Sequence, residues 1–288
     1  MLDKPTVRNI SKTIANISNR YSLDKFRYLN ETKDIQTKND GSQVTVADKE
    51  IQENLVEALS KVIPNAKFLV EEVPENHDDC YIQHEQLEEA SQNGPVFIID
   101  PIDGTGNFIR GGYDFRTSVA LYHNKTTIAS WIHSPTENRT ICALADEGAW
   151  VEQTNTKLSL KPNKHDKKKT IETSSKISGF FEKDYQLSKR YSKSASFESL
   201  AFQDTSGAVF HGKMKSWDFL PGILVFKEAG GKVYKDFNLD ASQPQTLVFA
   251  EDKEILQELT GLVKENQVDR GKEKVESVPT QKVPEHEK

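Results

Sequence analysis

The stretch Val96-Phe-Ile-Ile-Asp100-Pro-Ile-Asp103-Gly-Thr105-Gly-Asn-Phe108 decides how this chain is read. A continuous apolar run ends on an acid, which predicts a buried strand over 96–99. Pro101 is expected to turn the chain out at the strand's end, so that Asp100 and Asp103 converge with the Ile102 carbonyl between them. Three oxygen ligands on one short turn suit a hard divalent cation such as Mg²⁺ and not zinc. Gly104 and Thr105 then open a short helix, whose free amides attract phosphate. A metal and a phosphate cradle on one turn point to phosphoryl chemistry.

Composition is that of an ordinary soluble protein. With 288 residues the chain can build a sizeable core in one or two domains. Its formal charge of −6 gives no reason to expect nucleic-acid binding. Cys80 and Cys142 form no motif, so no disulfide framework is expected. The N-terminus lacks the apolar centre of a signal peptide, and no apolar run is long enough to span a bilayer. A cytoplasmic protein with no membrane partner is the default expectation.

Outward from the central stretch, the hydrophobic pattern predicts one or two helices over 6–29, carried by Val7, Ile10, Ile14, Ile17, Tyr21 and Leu23. A polar stretch follows and closes on the turn signal Lys38-Asn-Asp-Gly41. A second helix begins near 46–48 and is stopped by Pro64. Residues 68–70 read as a short strand running into Glu71-Glu72. The acidic segment 73–93 contains one short helix, around 83–90. Beyond the central turn, runs over 117–122, 126–132, 140–145 and 149–152 form an antiparallel meander. A basic connector over 157–169 separates two halves, about 1–156 and 157–264. The second half mixes helix and strand: a helix over 218–229, strands over 232–234 and 246–250, and a last helix over 253–263. Residues 265–288 are charged and nearly free of large apolar groups, which predicts a disordered tail.

Three further acids belong with the turn. Glu71 follows one strand as Asp100 follows another, and the two meet if those strands are neighbours; alone, Glu71-Glu72 reads as the opening of a solvated acidic loop. Asp218, in Lys215-Ser-Trp217-Asp218-Phe-Leu-Pro221-Gly222, suits a helix N-terminus, where one carboxylate oxygen can cap and the other can bind metal. Trp217 reads as core. Asp48 sits where a helix starts, a favourable place for negative charge.

In these motifs the chain resembles the inositol monophosphatase family, magnesium-dependent phosphatases related to fructose bisphosphatase. Three motifs carry the resemblance in the family's order: Phe68-Leu-Val-Glu71-Glu72, Asp100-Pro-Ile-Asp103-Gly-Thr105 with Asn107-Phe108, and Trp217-Asp218 followed by Glu228-Ala-Gly230-Gly231. The segment Asp40-Gly-Ser-Gln-Val-Thr-Val-Ala-Asp48 fits as well, and coverage runs from about residue 6 to 264. The resemblance implies an α+β fold, the layered α/β/α/β/α sandwich of the sugar phosphatases. It implies that Glu71, Asp100, Asp103, Asp218 and the Ile102 carbonyl hold two or three Mg²⁺ ions. Thr105, hydrogen-bonded to Asp48, would orient and help deprotonate a metal-bound water, and the amides of Gly104 and Thr105 would grip the phosphate. The implied reaction is hydrolysis of a small phosphate monoester, an inositol-phosphate-like or related sugar or polyol phosphate. The partner is thus a small phosphorylated metabolite, and a homodimer is the family's common assembly.

The departures concern the substrate. Gly106 stands where the family usually has a second Thr. His211 falls where the inositol enzymes place a Glu that receives ring hydroxyls, and a His can bind a polyol or a second phosphate. Pro221 replaces a usual Ala, and the segment 191–207, with Glu198 in it, does not match the inositol-binding version. Alternatives within the superfamily are a 3′,5′-bisphosphate nucleotidase and phosphatases of fructose 1,6-bisphosphate or histidinol phosphate. The alternative outside enzymes is a regulatory or binding protein on the same scaffold.

Overall fold

A computed structural model describes residues 2–29, 33–74, 79–160, 169–234, 239 and 243–276, with side chains to 266. Helix α1 (Lys4–Leu23) starts where Asp3 accepts the Thr6 amide, and it buries Val7, Ile10 and Ile14. A hairpin of β1 (Ile35–Thr37) and β2 (Gln43–Thr45) then leads into α2 (Val46–Val62). The sequence reading missed this hairpin, because three-residue strands with mostly polar side chains carry no alternation to detect.

The first sheet runs in the order β3 (Lys67–Val70), β4 (Val96–Asp103), β5 (Arg116–His123), β6 (Thr126–Ser134), β7 (Arg139–Leu144), β8 (Gly148–Val151) and β9 (Thr156–Leu158). β3 and β4 are parallel, and every later pairing is antiparallel. Between β3 and β4 the chain makes a 3₁₀ turn (His84–Gln86) continuing into α3 (Leu87–Asn93). α4 (Thr105–Ile109) follows β4. The connector expected over 157–169 therefore begins inside β9, while 161–168 lie outside the described residues.

The second sheet has the order β11-β10-β12-β14-β13, formed by β10 (Thr170–Thr173), β11 (Gln186–Ser188), β12 (Gly207–Gly212), β13 (Lys232–Val233) and β14 (Gln245–Ala250). Its helices are α5 (Lys193–Ala201), α6 (Ser216–Glu228) and α7 (Lys253–Glu276). α6 starts two residues before the expected point, so Pro221 is inside the helix and not in its first turn. α7 likewise passes Asn266 and runs to Glu276, where a disordered tail is expected. A composition that cannot bury surface still contains good helix formers, and 265–276 carry Glu, Gln and Lys without proline. Residues 277–288 lie outside the described residues.

These elements stack as α1/α2, the first sheet, α5/α6, the second sheet and α7. Three apolar clusters lie between the layers, and β4 serves two of them. Phe97 and Ile99 face α1/α2, whereas Val96 and Ile98 face α5/α6. That is why 96–99 read as a continuous apolar run. The α5–α6 contact is close: a Cβ on Gly222 would lie 1.9 Å from the Phe197 ring. Glu228 of α6 accepts the Asp146 and Gly148 amides at 3.0 and 2.8 Å, so this motif acid ties α6 to the β7–β8 turn. Among the described residues no helix is long and apolar enough to cross a membrane.

Candidate active site

β4 does not end at Ile99, and Pro101 does not turn the chain away; the strand continues to Asp103 through a bulge. Asp100 pairs with Ser118 and Asp103 with Arg116, so β4 uses one residue more than β5. Proline costs no ladder donor at such a bulge, and the Pro101 carbonyl accepts the Thr117 hydroxyl at 2.7 Å. The bulge has a chemical consequence. Residues three apart on a regular strand point to opposite faces; one inserted residue restores the parity and brings Asp100 and Asp103 to one side.

The β3–β4 register supplies the next acid. Val70 pairs with Ile99, and the Glu71 amide donates to the Ile99 carbonyl at 3.2 Å, so Glu71 lies beside Asp100. α2 fixes this corner with two side chains one turn apart. Gln52 receives the Glu72 amide at 2.9 Å and donates to the Glu72 carbonyl. Asp48 completes the capping box with Thr45 and accepts the Thr105 hydroxyl at 3.3 Å. That hydroxyl also lies 2.9 Å from the Ile102 carbonyl. Gly104, before α4, has φ +95°, and a Cβ there would lie 2.9 Å from the Asp114 carbonyl, so only glycine fits. Gly106 has no such need: a Cβ would meet only the flexible end of Arg110, at 3.4 Å.

Asp218 arrives from the other sheet's side, in the first turn of α6. Its Oδ2 accepts the Lys215 amide at 2.8 Å, and its Oδ1 faces the Lys193 ammonium at 3.1 Å. Capping and cation binding thus use different oxygens. Asp103 is gripped by the start of α5: Oδ2 accepts the Ser192 hydroxyl at 2.9 Å and the Ser194 amide at 2.5 Å, and Oδ1 accepts the Lys193 amide at 3.3 Å. Lys38, just after β1, lies 3.3 Å from Glu71 and 2.7 Å from Glu72. The acids are neighbours, but lysines and amides engage most of their oxygens. Among the described residues, no group of three acid, His or Cys side chains is preset as a metal cluster.

Asp100 Oδ1 is buried with no hydrogen-bond partner. Burial, then Glu71, Asp103 and Asp218, push the Asp100 carboxyl well above its ordinary range. Burial also raises Glu71, against the pull of Lys38. Such crowding of carboxyl oxygens is the donor chemistry of a hard divalent cation, so these residues fit Mg²⁺.

Asp48 offers a direct check on this electrostatics. Burial, opposed by the Thr45 hydrogen bonds, raises its carboxyl from 3.8 to about 7. The folded state keeps a proton that the unfolded chain has released. The resulting stability is complete below pH 3.8 and is lost as pH rises through about 7. In chelator, unfolding free energy should fall between about pH 4 and 7.5, Asp48 contributing up to about 1.4 kcal/mol per pH unit beside Glu71 and Asp100, which are raised as well. Asp48→Asn should flatten that fall; an unchanged slope would assign the proton to another group.

Other residues singled out from sequence have other places. His211, on β12, lines a cavity beside the cluster, and its Nδ1 is 2.9 Å from the Thr246 hydroxyl. Trp217 packs at the edge of the core against His84, with ring centroids 5.8 Å apart. Glu198 is buried in ion pairs with Arg116 and Arg139, at 2.6 and 2.7 Å, away from any ligand role. The sequence reading missed Lys38 and Lys193. Lys193 had a usable signal: Ser192 is a helix N-cap, and a cation just after one opposes the helix dipole and needs an acid nearby.

Comparisons with known proteins show the family and agree with the fold. The model of the inositol monophosphatase family matches residues 3–267. An inositol monophosphatase from Mesembryanthemum crystallinum is 24% identical over 73% of this chain and 81% of its own length. The Nus factor SuhB of Pasteurella multocida is 26% identical over 71% of this chain and 76% of its own. The solved structure of the extragenic suppressor protein suhB from Bartonella henselae superposes with a TM-score of 0.73, covering 89% of this chain and 97% of that one at 22% identity.

Proposed function

The chain belongs to the inositol monophosphatase family, and from that premise we propose that it is a Mg²⁺-dependent hydrolase of a small phosphate monoester. The observation that carries this reading is the buried, unbonded Asp100 oxygen among Glu71, Asp103 and Asp218, at the end of β4 that opens into α4. Those four acids and the Ile102 carbonyl would hold two or three Mg²⁺ ions. When bound, Mg²⁺ neutralises phosphoryl oxygens, acidifies water and stabilises the leaving alkoxide. The remaining steps belong to the chain. The first bonds of α4 are donated by the Asn107 and Phe108 amides to the Gly104 carbonyl; the Thr105 and Gly106 amides ahead of them would hold phosphate oxygens, with Gly104 giving close approach. With its hydrogen on the ionised Asp48 carboxylate and not on the Ile102 carbonyl, the Thr105 hydroxyl would present lone pairs to the attacking water; as it takes the water's proton, its own passes to Asp48. No covalent intermediate on the protein is required.

The test is phosphate release from a panel of phosphorylated metabolites by metal-stripped protein. Release should be absent in EDTA and return with Mg²⁺. Full turnover in chelator would overturn the reading, and no release with any ester would favour a binding role on this scaffold.

A further inference from the structure

Lys193 borders two compartments. On one side its ammonium is 3.1 Å from Asp218 Oδ1, within the carboxylate cluster. On the other, it lines a cavity of about 230 Å³ together with Ser174, Arg190, Tyr191 and His211. A lysine at the first position of α5 is opposed by the helix dipole, so its acid partner keeps it there. That partner is the oxygen a divalent ion would take. A divalent ion on that oxygen would repel the ammonium at contact distance, which favours the lysine's departure into the polar cavity it already borders.

The cavity lacks another cation ready for a ligand. Arg190 is balanced by Glu172 at 3.8 Å and Asp114 at 4.0 Å. At the rim, exposed Tyr191 carries Lys189 and Arg110 over its ring at 5.5 and 5.7 Å, which makes the entrance positive. This local balance contrasts with the chain's formal charge of −6.

We propose that Lys193 is a specificity residue: divalent metal displaces its ammonium from Asp218, and the freed side chain turns into the adjoining cavity to bind an anionic group on the ester's leaving group. This rests on the metal-dependent reading above and narrows it. The substrate class becomes a phosphate monoester carrying a second phosphate or carboxylate. The same residue serves as a tethered counter-ion to Asp218 until metal arrives.

Two measurements test the displacement and the recognition separately. The first is calorimetric titration of Mg²⁺ alone into metal-stripped wild type, Lys193→Met and Lys193→Arg. Removing the competing ammonium should tighten Mg²⁺ binding about tenfold in the Met variant and leave the Arg variant near wild type. Equal isotherms would overturn displacement. The second compares kcat/KM for inositol 1,4-bisphosphate and inositol 1-phosphate at saturating Mg²⁺. The ratio should favour the bisphosphate in wild type, fall about tenfold in Lys193→Met and be retained in Lys193→Arg. An equal ratio in all three would overturn the anion-binding role. Should Lys193→Met fail to fold, Lys193→Gln keeps a polar tail for both arms. Should wild type hydrolyse neither ester, the functional reading fails, and the same ratio is read as binding of the two esters by calorimetry. The assignment of Lys193 is thereby decided in either case.

Discussion

Asp100→Asn lowers kcat/KM about 10³-fold or more at saturating Mg²⁺ and, in chelator, raises the melting temperature. The two signs have one cause. Asp100 is 2% exposed, one of its oxygens has no partner, and Glu71, Asp103 and Asp218 crowd it. The scaffold gains nothing from this acid: without metal it must either hold a proton that the unfolded chain releases or bury a charge among like charges, and both cost stability. The Asn amide removes that cost in nearly the same volume. Metal-assisted chemistry loses several kcal/mol of charge stabilisation with it, and each 1.36 kcal/mol is tenfold in rate. A relief of about 1 kcal/mol raises the melting temperature by roughly 2–4 °C at this chain length. Initial rates and thermal melts in EDTA check both signs. Activity and melting temperature falling together would mean that Asp100 is part of the scaffold.

The second large effect belongs to Thr105. Thr105→Ala should cost about 10²-fold in kcat, the scale of one lost proton-transfer partner. Asp48→Asn should cost a similar factor, because Asp48 reaches the chemistry only through the Thr105 hydroxyl at 3.3 Å. The double variant should be no worse than Thr105→Ala alone, as expected of residues acting in series. All three proteins should keep wild-type Mg²⁺ affinity by calorimetry, since neither side chain belongs to the proposed ligand set. Multiplying losses would show that Asp48 acts elsewhere, for instance on the Glu71–Glu72 corner beside it.

The legible parts of the fold were those in which the local pattern already contains the tertiary answer. The run 96–99 is buried on two faces and so reads as a strand without alternation. The stripe of α2, from Ile51 to Leu59, ends before Pro64 as proline chemistry requires. The carboxylates of the site were legible through motif order and through the expectation that Glu71 and Asp100 lie on neighbouring strands, which the β3–β4 register satisfies. The bulge at Pro101 was not, because a one-residue mismatch exists only relative to β5. Lys38 and Lys193 stayed hidden for a related reason. Each is an ordinary surface residue in its own segment, and only the fold sets it against an acid 33 or 25 residues away. His211 was read as facing substrate; it borders the cavity, yet its Nδ1 is engaged by Thr246.

The division of the acids between the two sheets has an engineering consequence. Glu71, Asp100 and Asp103 leave the ends of the first sheet, whereas Asp218 and Lys193 lie on helices packed between both sheets. Chain broken between Leu160 and Lys169 would leave each fragment with an incomplete charge pattern and an uncovered apolar face. Phosphate release would then report on fragment reassociation, as a split-enzyme sensor does. The grip of Ser192 and Ser194 on Asp103 would be the point at which the two pieces lock.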